Sequence, residues 1–507
     1  MSLKQKAIAG VKWTSLSSIV IAVVQLAQIA ILARYLVPTD FGLMAIVSVV
    51  IGFSALFMDM GISSAIIHKQ DITHKQLSSL YWLNIFAGIS LFTLVYLLAP
   101  PIASFYNEER MIPLLQLLAI TFFISAIGNQ YRILNQKQLL FNRLAKVEIF
   151  AAISSFFVAV ACALNGFGVY SLVYASLFGV CVSNLIFLLT GLKQHRPAFT
   201  YQYDEIKSLI SFGLFQMGER SINYFNSQFD TILIGKLLGT EALGIYTIAK
   251  NLVIKPAQII NPIITKVTFP IMAKVQDDTR QLKNIYLKTI NYLCSVNFPI
   301  YMVMAVLSES LILTLFGEKW TESILILQIL AFYFMFRSIG NPIGSLQLAK
   351  GRADLGFYWN LGLFAVVPLV IYMGSIYGLV GVAISLVLLQ ISLNVPSWYF
   401  LVKPLCGAQF TEYFSNILKP LLITVLAVFV SLPIKMFLLE NNSVVSSLIF
   451  LVVGGSFFIL LTRYLNKPFW CLIKSVLINL QQSFVCLKLF LRIYKKILFI
   501  FSNYCYF

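Results

Sequence analysis

The sequence predicts an all-α integral membrane protein of about fourteen transmembrane helices, two homologous six-helix bundles with two further helices. Three observations predict it. Of 507 residues 59% are apolar and 11% charged, with a mean hydropathy of +0.86, which is more apolar surface than a water-soluble core absorbs. Mostly apolar runs of about 18 residues or more recur, each long enough at ~1.5 Å per residue to cross ~30 Å of hydrocarbon. The segment ARYLVPTDFGLMAIVSV at 33–49 returns as GKLLGTEALGIYTIAKN at 235–251, so that Gly42 answers Gly244 and Arg34 answers Lys236.

The duplication continues downstream. SAIGNQ at 125–130 reappears as SIGNP at 338–342, and NGFGVYSLV at 165–173 as SIYGLVGVA at 375–383. The offset covers six spans, an even number, so the halves share one orientation about an axis along the membrane normal. The expected units are 1–200, the amino-terminal bundle; 201–405, its repeat; 406–465, spans 13 and 14; and 466–507, a basic amphipathic cytoplasmic tail. The cleft between two like halves is the natural place for a substrate.

The spans fall near 12–33, 41–66, 79–99, 112–131, 147–164, 169–190 and 209–234 in the first seven, then 243–272, 287–315, 323–346, 356–376, 378–402, 416–437 and 444–464. They are twice the length of a membrane barrel strand and lack its alternation, so the reading is helical. The basic start, MSLKQKAIAGVKW, runs straight into span 1 without a small-residue cleavage site, as an uncleaved first helix does. The seven cysteines, Cys162, Cys181, Cys294, Cys406, Cys471, Cys486 and Cys505, are scattered without a CxxC pair and read as packing residues; neither a metal site nor a cofactor site is expected.

With the amino terminus inside, twenty Lys and Arg of the connections, from Lys4 to Lys419, lie on the inner side, and five, Arg34, Arg110, Lys236, Lys319 and Lys435, on the outer. That bias places both termini in the cytoplasm. The net charge of +18 is then a topology signal with an attraction to anionic membrane lipids, and nucleic acid is not an expected partner. No connection exceeds about twenty residues, which leaves no room for a soluble catalytic domain; the chain is not expected to be an enzyme.

An ionisable group facing mid-bilayer lipid costs about 2.5–3.5 kcal/mol on insertion scales, so such residues normally face a cavity or a partner. In span 7, Gln216, Glu219, Asn223, Asn226 and Asp230 are spaced 3, 4, 3 and 4 apart and share one helical face. Span 1 carries a milder stripe in Thr14, Ser18, Gln25 and Gln28. The bland reading of both is helix-to-helix hydrogen bonding in a dry bundle. Span 8 holds Lys250, Lys255 and Lys266 beside Pro256, Pro262 and Pro270; Arg220 in span 7 and Arg337 in span 10 complete a basic cluster suited to an anion. Snorkelling to the interface is the alternative for Lys250 and Lys266. Asp59 is the clear intramembrane acid of the first half and, with Glu219 and Asp230, an ion-coupling candidate. The pair Gly235 and Gly239 belongs to a turn rather than a dimer seam, and His68, His74 and His195 read as solvated loop residues. The tail after Pro468, with Lys474, Lys488, Arg492 and Lys495 on one face, reads as an interfacial helix.

At ARYLVPTDFGLMA, the Asp59-Met60-Gly61 that follows and SAIGNQYRILNQKQLLFNRLA at 125–145, the chain resembles the polysaccharide exporter branch of the multidrug/oligosaccharidyl-lipid/polysaccharide (MOP) flippase superfamily. It is most similar to the Wzx-type flippases of O-antigen, capsule and colanic-acid repeat units in bacterial inner membranes. The resemblance covers roughly 1–465. It implies two bundles set as a V, alternating access, commonly with ion coupling, and a substrate of oligosaccharide on undecaprenyl pyrophosphate carried from the cytoplasmic to the periplasmic leaflet. Implied partners are that lipid-linked oligosaccharide, membrane lipids, and a polymerase and chain-length proteins of the same pathway. On this reading Arg220, Lys250, Lys255, Lys266 and Arg337 hold the pyrophosphate, and Gln25, Gln28, Gln216, Asn223 and Asn226 the sugars. The competing readings are a cation-drug antiporter of the same superfamily, which an excess of bases disfavours, and a membrane polymerase or glycosyltransferase of the pathway, which would carry a large catalytic loop.

Overall fold

The computed structural model describes residues 3–59, 63, 66, 67, 72–200, 202–438 and 443–475. Its long helices are α1 Leu3–Tyr35, α2 Pro38–Asp59, α3 His74–Tyr106, α4 Met111–Lys137, α5 Phe141–Leu164, α6 Tyr170–Gly191 and α7 Tyr203–Leu237. Then follow α8 Gly239–Lys274, α9 Thr279–Val306, α10 Glu322–Ala349, α11 Ala353–Ser375, α12 Gly378–Cys406, α13 Phe410–Leu438 and α14 Ser443–Leu465. Among the described residues, twelve segments are long and apolar enough to cross a membrane. The long helices outside that set are α7 and α8, 35 and 36 residues long. They have the length but carry the stripe and the lysines that lower their hydropathy. The chain is a multi-pass, all-α membrane protein.

Helix pairs in the first half have counterparts in the second. The pairs α1–α5, α3–α4, α4–α6 and α5–α6 pack together, and so do α7–α11, α9–α10, α10–α12 and α11–α12. Between the halves the closest packing is α2 on α8. There the repeat-related glycines meet: a Cβ on Gly42 would strike the carbonyl of Thr240, and a Cβ on Gly244 the carbonyl of Pro38. Only a residue without a side chain lets two helix backbones cross so closely. Arg34 and Lys236 flank this crossing reciprocally. Arg34 Nη2 donates to the Thr314 carbonyl of the second half at 3.0 Å, and Lys236 Nζ donates to the Phe105 carbonyl of the first at 2.5 Å. Lys319 Nζ and the buried Trp320 Nε1 add bonds to the Arg34 and Ala33 carbonyls, both at 2.9 Å. The end of the bundle that carries the α1–α2 and α7–α8 turns is thereby closed. Gly239, at φ +86°, makes the second of these turns, as the sequence indicated; Gly235, expected in the same turn, instead lies inside α7 and packs against Ile46.

The expected span 287–315 divides. An Asp278 cap, whose side chain accepts the Gln281 N–H, starts α9 at Thr279; the helix stops at Val306, and Ser308–Leu315 forms a separate short helix. An apolar stretch longer than the ~20 residues that a bilayer needs leaves its surplus to turn at the interface. The five cysteines among the described residues are free; Cys486 and Cys505 lie outside them, as do His68 and the tail from 476 on. The start of the tail docks on α9, where Asn466 Nδ2 donates to Ser295 Oγ at 3.0 Å.

The connection from α6 to α7, 192–202, is strapped to α3. Ser78 Oγ accepts the Ala198 N–H and Ser79 Oγ the Gln202 N–H, each at 3.0 Å; Trp82 donates to the Ala198 carbonyl and stacks on Phe199. His195 is buried against the His74 ring, centroids 4.4 Å apart, instead of solvated as its loop position suggested. Burial, and secondarily His74, hold its imidazole below the ordinary 6.5. The unfolded chain therefore takes up the proton more readily. The stabilisation is complete above that ordinary value and is lost as pH falls through the lowered one. Between about pH 8 and about pH 5 the thermal midpoint of the wild type is expected to fall more steeply than that of His195→Gln; equal slopes would contradict it.

Candidate functional site

A cavity of about 740 Å³ opens inside the second half, walled by α7, α8, α10, α11 and α12. Its lining is rich in amides: Asn223 and Asn226 from α7, Gln258 and Asn261 from α8, Gln347 from α10. Asn360 of α11, with Gln390 and Asn394 of α12, continues the ring, and Trp359 and Tyr333 supply aromatic faces. Asn226 Nδ2 donates to the Asn360 carbonyl at 2.8 Å, while its buried Oδ1 receives no hydrogen bond. Volume and lining suit a ligand with many hydroxyl groups.

Two cations reach this wall. Lys250 turns inward rather than snorkelling: Nζ lies 2.7 Å and 2.8 Å from the two Asp230 oxygens, with side-chain exposures of only 16% and 12%. Asp230 also accepts the Tyr246 O–H at 2.7 Å and the Thr231 backbone N–H at 2.7 Å. Arg337 is held by its Nη1 donating to the Tyr333 hydroxyl at 2.6 Å, against the Tyr333 and Phe334 rings. Among the described residues no carboxylate pairs with Arg337.

The remaining basic residues go elsewhere. Lys255 Nζ donates to Gln25 Oε1 of α1 at 3.0 Å, so its head lies between the halves and not in the cavity. The reason is helical phase. Lys250 and Lys255 are five residues apart, about 140° around α8, and face different spaces. The basic cluster expected from the sequence is thus two sites, one in the cavity and one in the cleft. Arg220 is exposed on α7, and Gln28 is half-buried on α1. Asp59, Gln216, Glu219 and Lys266 sit on helices whose backbone is described, but their side chains lie outside the described residues.

Sequence reading missed Tyr333, Trp359, Asn360 and the amides of α12. The signal existed: Gln390 and Asn394 are four apart in an otherwise apolar span, and Gln258 and Asn261 three apart in α8, spacings that put each pair on one face.

Residues 31–325 match the family described as "Polysaccharide biosynthesis protein". The chain is 36% identical over 426 residues to the teichuronic acid biosynthesis protein TuaB of Bacillus subtilis, covering 83% of this chain and 88% of that one. It is 33% identical over 425 residues to the lipopolysaccharide biosynthesis protein WzxC of Escherichia coli, covering 83% and 86%. Among solved structures, the lipid II flippase MurJ in its inward closed conformation shares the fold with a TM-score of 0.69 at 14% identity, over 90% of this chain and 99% of that one. A multidrug resistance MATE family transporter of the MOP superfamily, inward-facing, does so with a TM-score of 0.57 at 16% identity, over 81% and 98%. The chain belongs to the polysaccharide biosynthesis protein family, with the Wzx-type protein WzxC among its relatives.

Proposed function

We propose that the protein carries an undecaprenyl-pyrophosphate-linked oligosaccharide repeat unit from the cytoplasmic to the periplasmic leaflet of a bacterial inner membrane by alternating access of residues 1–200 against 201–405, with both termini in the cytoplasm. The observation that carries this reading is Lys255: an ammonium in a membrane-spanning helix, set between the halves on Gln25, with no carboxylate partner among the described residues. Such a charge calls for an anionic ligand in the cleft. The pyrophosphate fills that role, and Arg220 of α7 and Lys266 of α8, expected from the sequence to hold the same anion, belong to the proposal. The polyprenyl chain stays in lipid.

Ion coupling through Asp59, Glu219 or Asp230 belongs to the same proposal. Asp230 already holds an internal cation, so it joins a transport cycle only when Lys250 leaves it. A cation-drug antiporter needs uncompensated acid in its lumen, and the one acid described at the cavity is neutralised by Lys250.

Lys255→Ala is expected to lower surface polysaccharide about tenfold or more, with lipid-linked repeats accumulating on the inner leaflet; Arg220→Ala acts in the same direction. Unchanged surface polymer in both variants, at normal protein levels, would refute the headgroup assignment.

A further inference from the structure

Among the described residues the cavity of the second half carries a net charge of one. Lys250 and Asp230 cancel, the ammonium bonded to both carboxylate oxygens, which leaves Arg337 as the one uncancelled charge among the described residues of the wall. A pyrophosphate, with two or more negative charges, is poorly matched to one guanidinium and a ring of amides. One carboxylate is well matched. The planar fork of arginine accepts a carboxylate through two parallel N–H groups, and Tyr333 fixes that fork by taking one of its hydrogens at 2.6 Å.

The rest of the wall is built for a sugar. Amide side chains both donate to and accept from hydroxyl groups, and buried Asn226 Oδ1 stands without a donor, a place for one sugar O–H. Trp359 lines the same space and offers a flat apolar face to the C–H side of a pyranose ring. At about 740 Å³ the cavity admits more than one sugar unit.

We infer that this cavity is a binding site for an acidic sugar of the glycan, a carboxylate-bearing residue held by Arg337 with Asn226, Gln390 and Trp359 around its ring, separate from the pyrophosphate site at Lys255. The inference rests on the transport reading for its biological sense, but not for its chemistry. Arg337, exposed to the cavity, then acts in selecting the cargo: a repeat unit lacking the carboxylate would cover the guanidinium without giving it a counter-charge, a larger loss than the missing contact alone.

The test is binding of soluble disaccharides to the full-length protein in lipid nanodiscs, followed by saturation-transfer NMR. Cellobiouronic acid is expected to bind about tenfold or more tighter than cellobiose. Arg337→Gln removes this preference, Arg337→Lys keeps part of it, and inorganic pyrophosphate does not displace the acid sugar. Tyr333→Phe, which leaves the charge but frees the fork, lowers the preference too and serves if Arg337→Gln fails to assemble. Equal binding of the two disaccharides, a preference that survives in Arg337→Gln, or displacement by pyrophosphate would each overturn the assignment. The transport reading is judged separately, by Lys255→Ala on surface polymer; either result stands without the other.

Discussion

Leucine at Gly42 or at Gly244 is expected to abolish polymer export while leaving the protein in the membrane. The two glycines cross at the seam between halves, and the atoms in the way of any side chain are backbone carbonyls, Thr240 for one and Pro38 for the other. Overpacking a core that can adjust costs about 1–3 kcal/mol. Here the obstacles are main-chain atoms of helix termini, so the upper end applies, and a penalty of about 3 kcal/mol on the closed arrangement lowers its population about a hundredfold. Gly362 of α11 and Gly455 of α14, where an added Cβ meets nothing within 4 Å, are the controls and should tolerate leucine. Surface polysaccharide and membrane abundance, measured together, decide the matter; normal export by either seam variant would show that the crossing is dispensable.

The second large effect concerns the pair in the cavity wall, Lys250 on the lining and Asp230 behind it. Asp230→Asn leaves the Lys250 ammonium, 16% exposed, without its counter-charge. Removing one partner of a largely buried pair costs about 3 kcal/mol, chiefly because the remaining charge is stranded. The double variant Asp230→Asn with Lys250→Gln removes both charges and should regain most of that loss. Thermal unfolding of the three variants in one detergent closes the cycle. If the double variant is as unstable as the sum of the singles, the pair is not the unit described here.

Much of this architecture was legible in the chain. The order of the long helices followed from the sequence, and apolar length marked twelve of them, with α7 and α8 long but more polar. The correspondence of Gly42 with Gly244 and of Arg34 with Lys236 was visible as repeated text; their meeting was not, because a repeat says which residues are equivalent and not which ones touch. The α7 stripe was a matter of helical phase, and Asn223 and Asn226 do line a cavity. Phase within one helix does not tell which neighbour a face meets. Lys250 and Lys255 therefore read as one cluster until α1, α7 and α10 were in place around them. The amides of α11 and α12 escaped notice because one or two amides in an apolar span are ordinarily a helix-packing feature, and only the convergence of five helices makes them a wall. His195 was misjudged for a similar reason: a loop position suggests water, but Tyr131, whose hydroxyl donates to the His195 carbonyl at 3.2 Å, and the α3 strap bury it.

The backbone contact of Gly42 with Gly244 lies six residues into α8, which runs on to Lys274. About 45 Å of helix therefore extends beyond it as a lever arm. Rotating the halves by about 10° around that fulcrum swings the far end by about 8 Å, enough to admit or shut out a sugar ring, while the fulcrum itself scarcely moves. On the proposed alternating-access reading, this mechanical advantage, placed by two missing side chains, lets a modest change in electrostatic energy at mid-helix govern a wide mouth at one end.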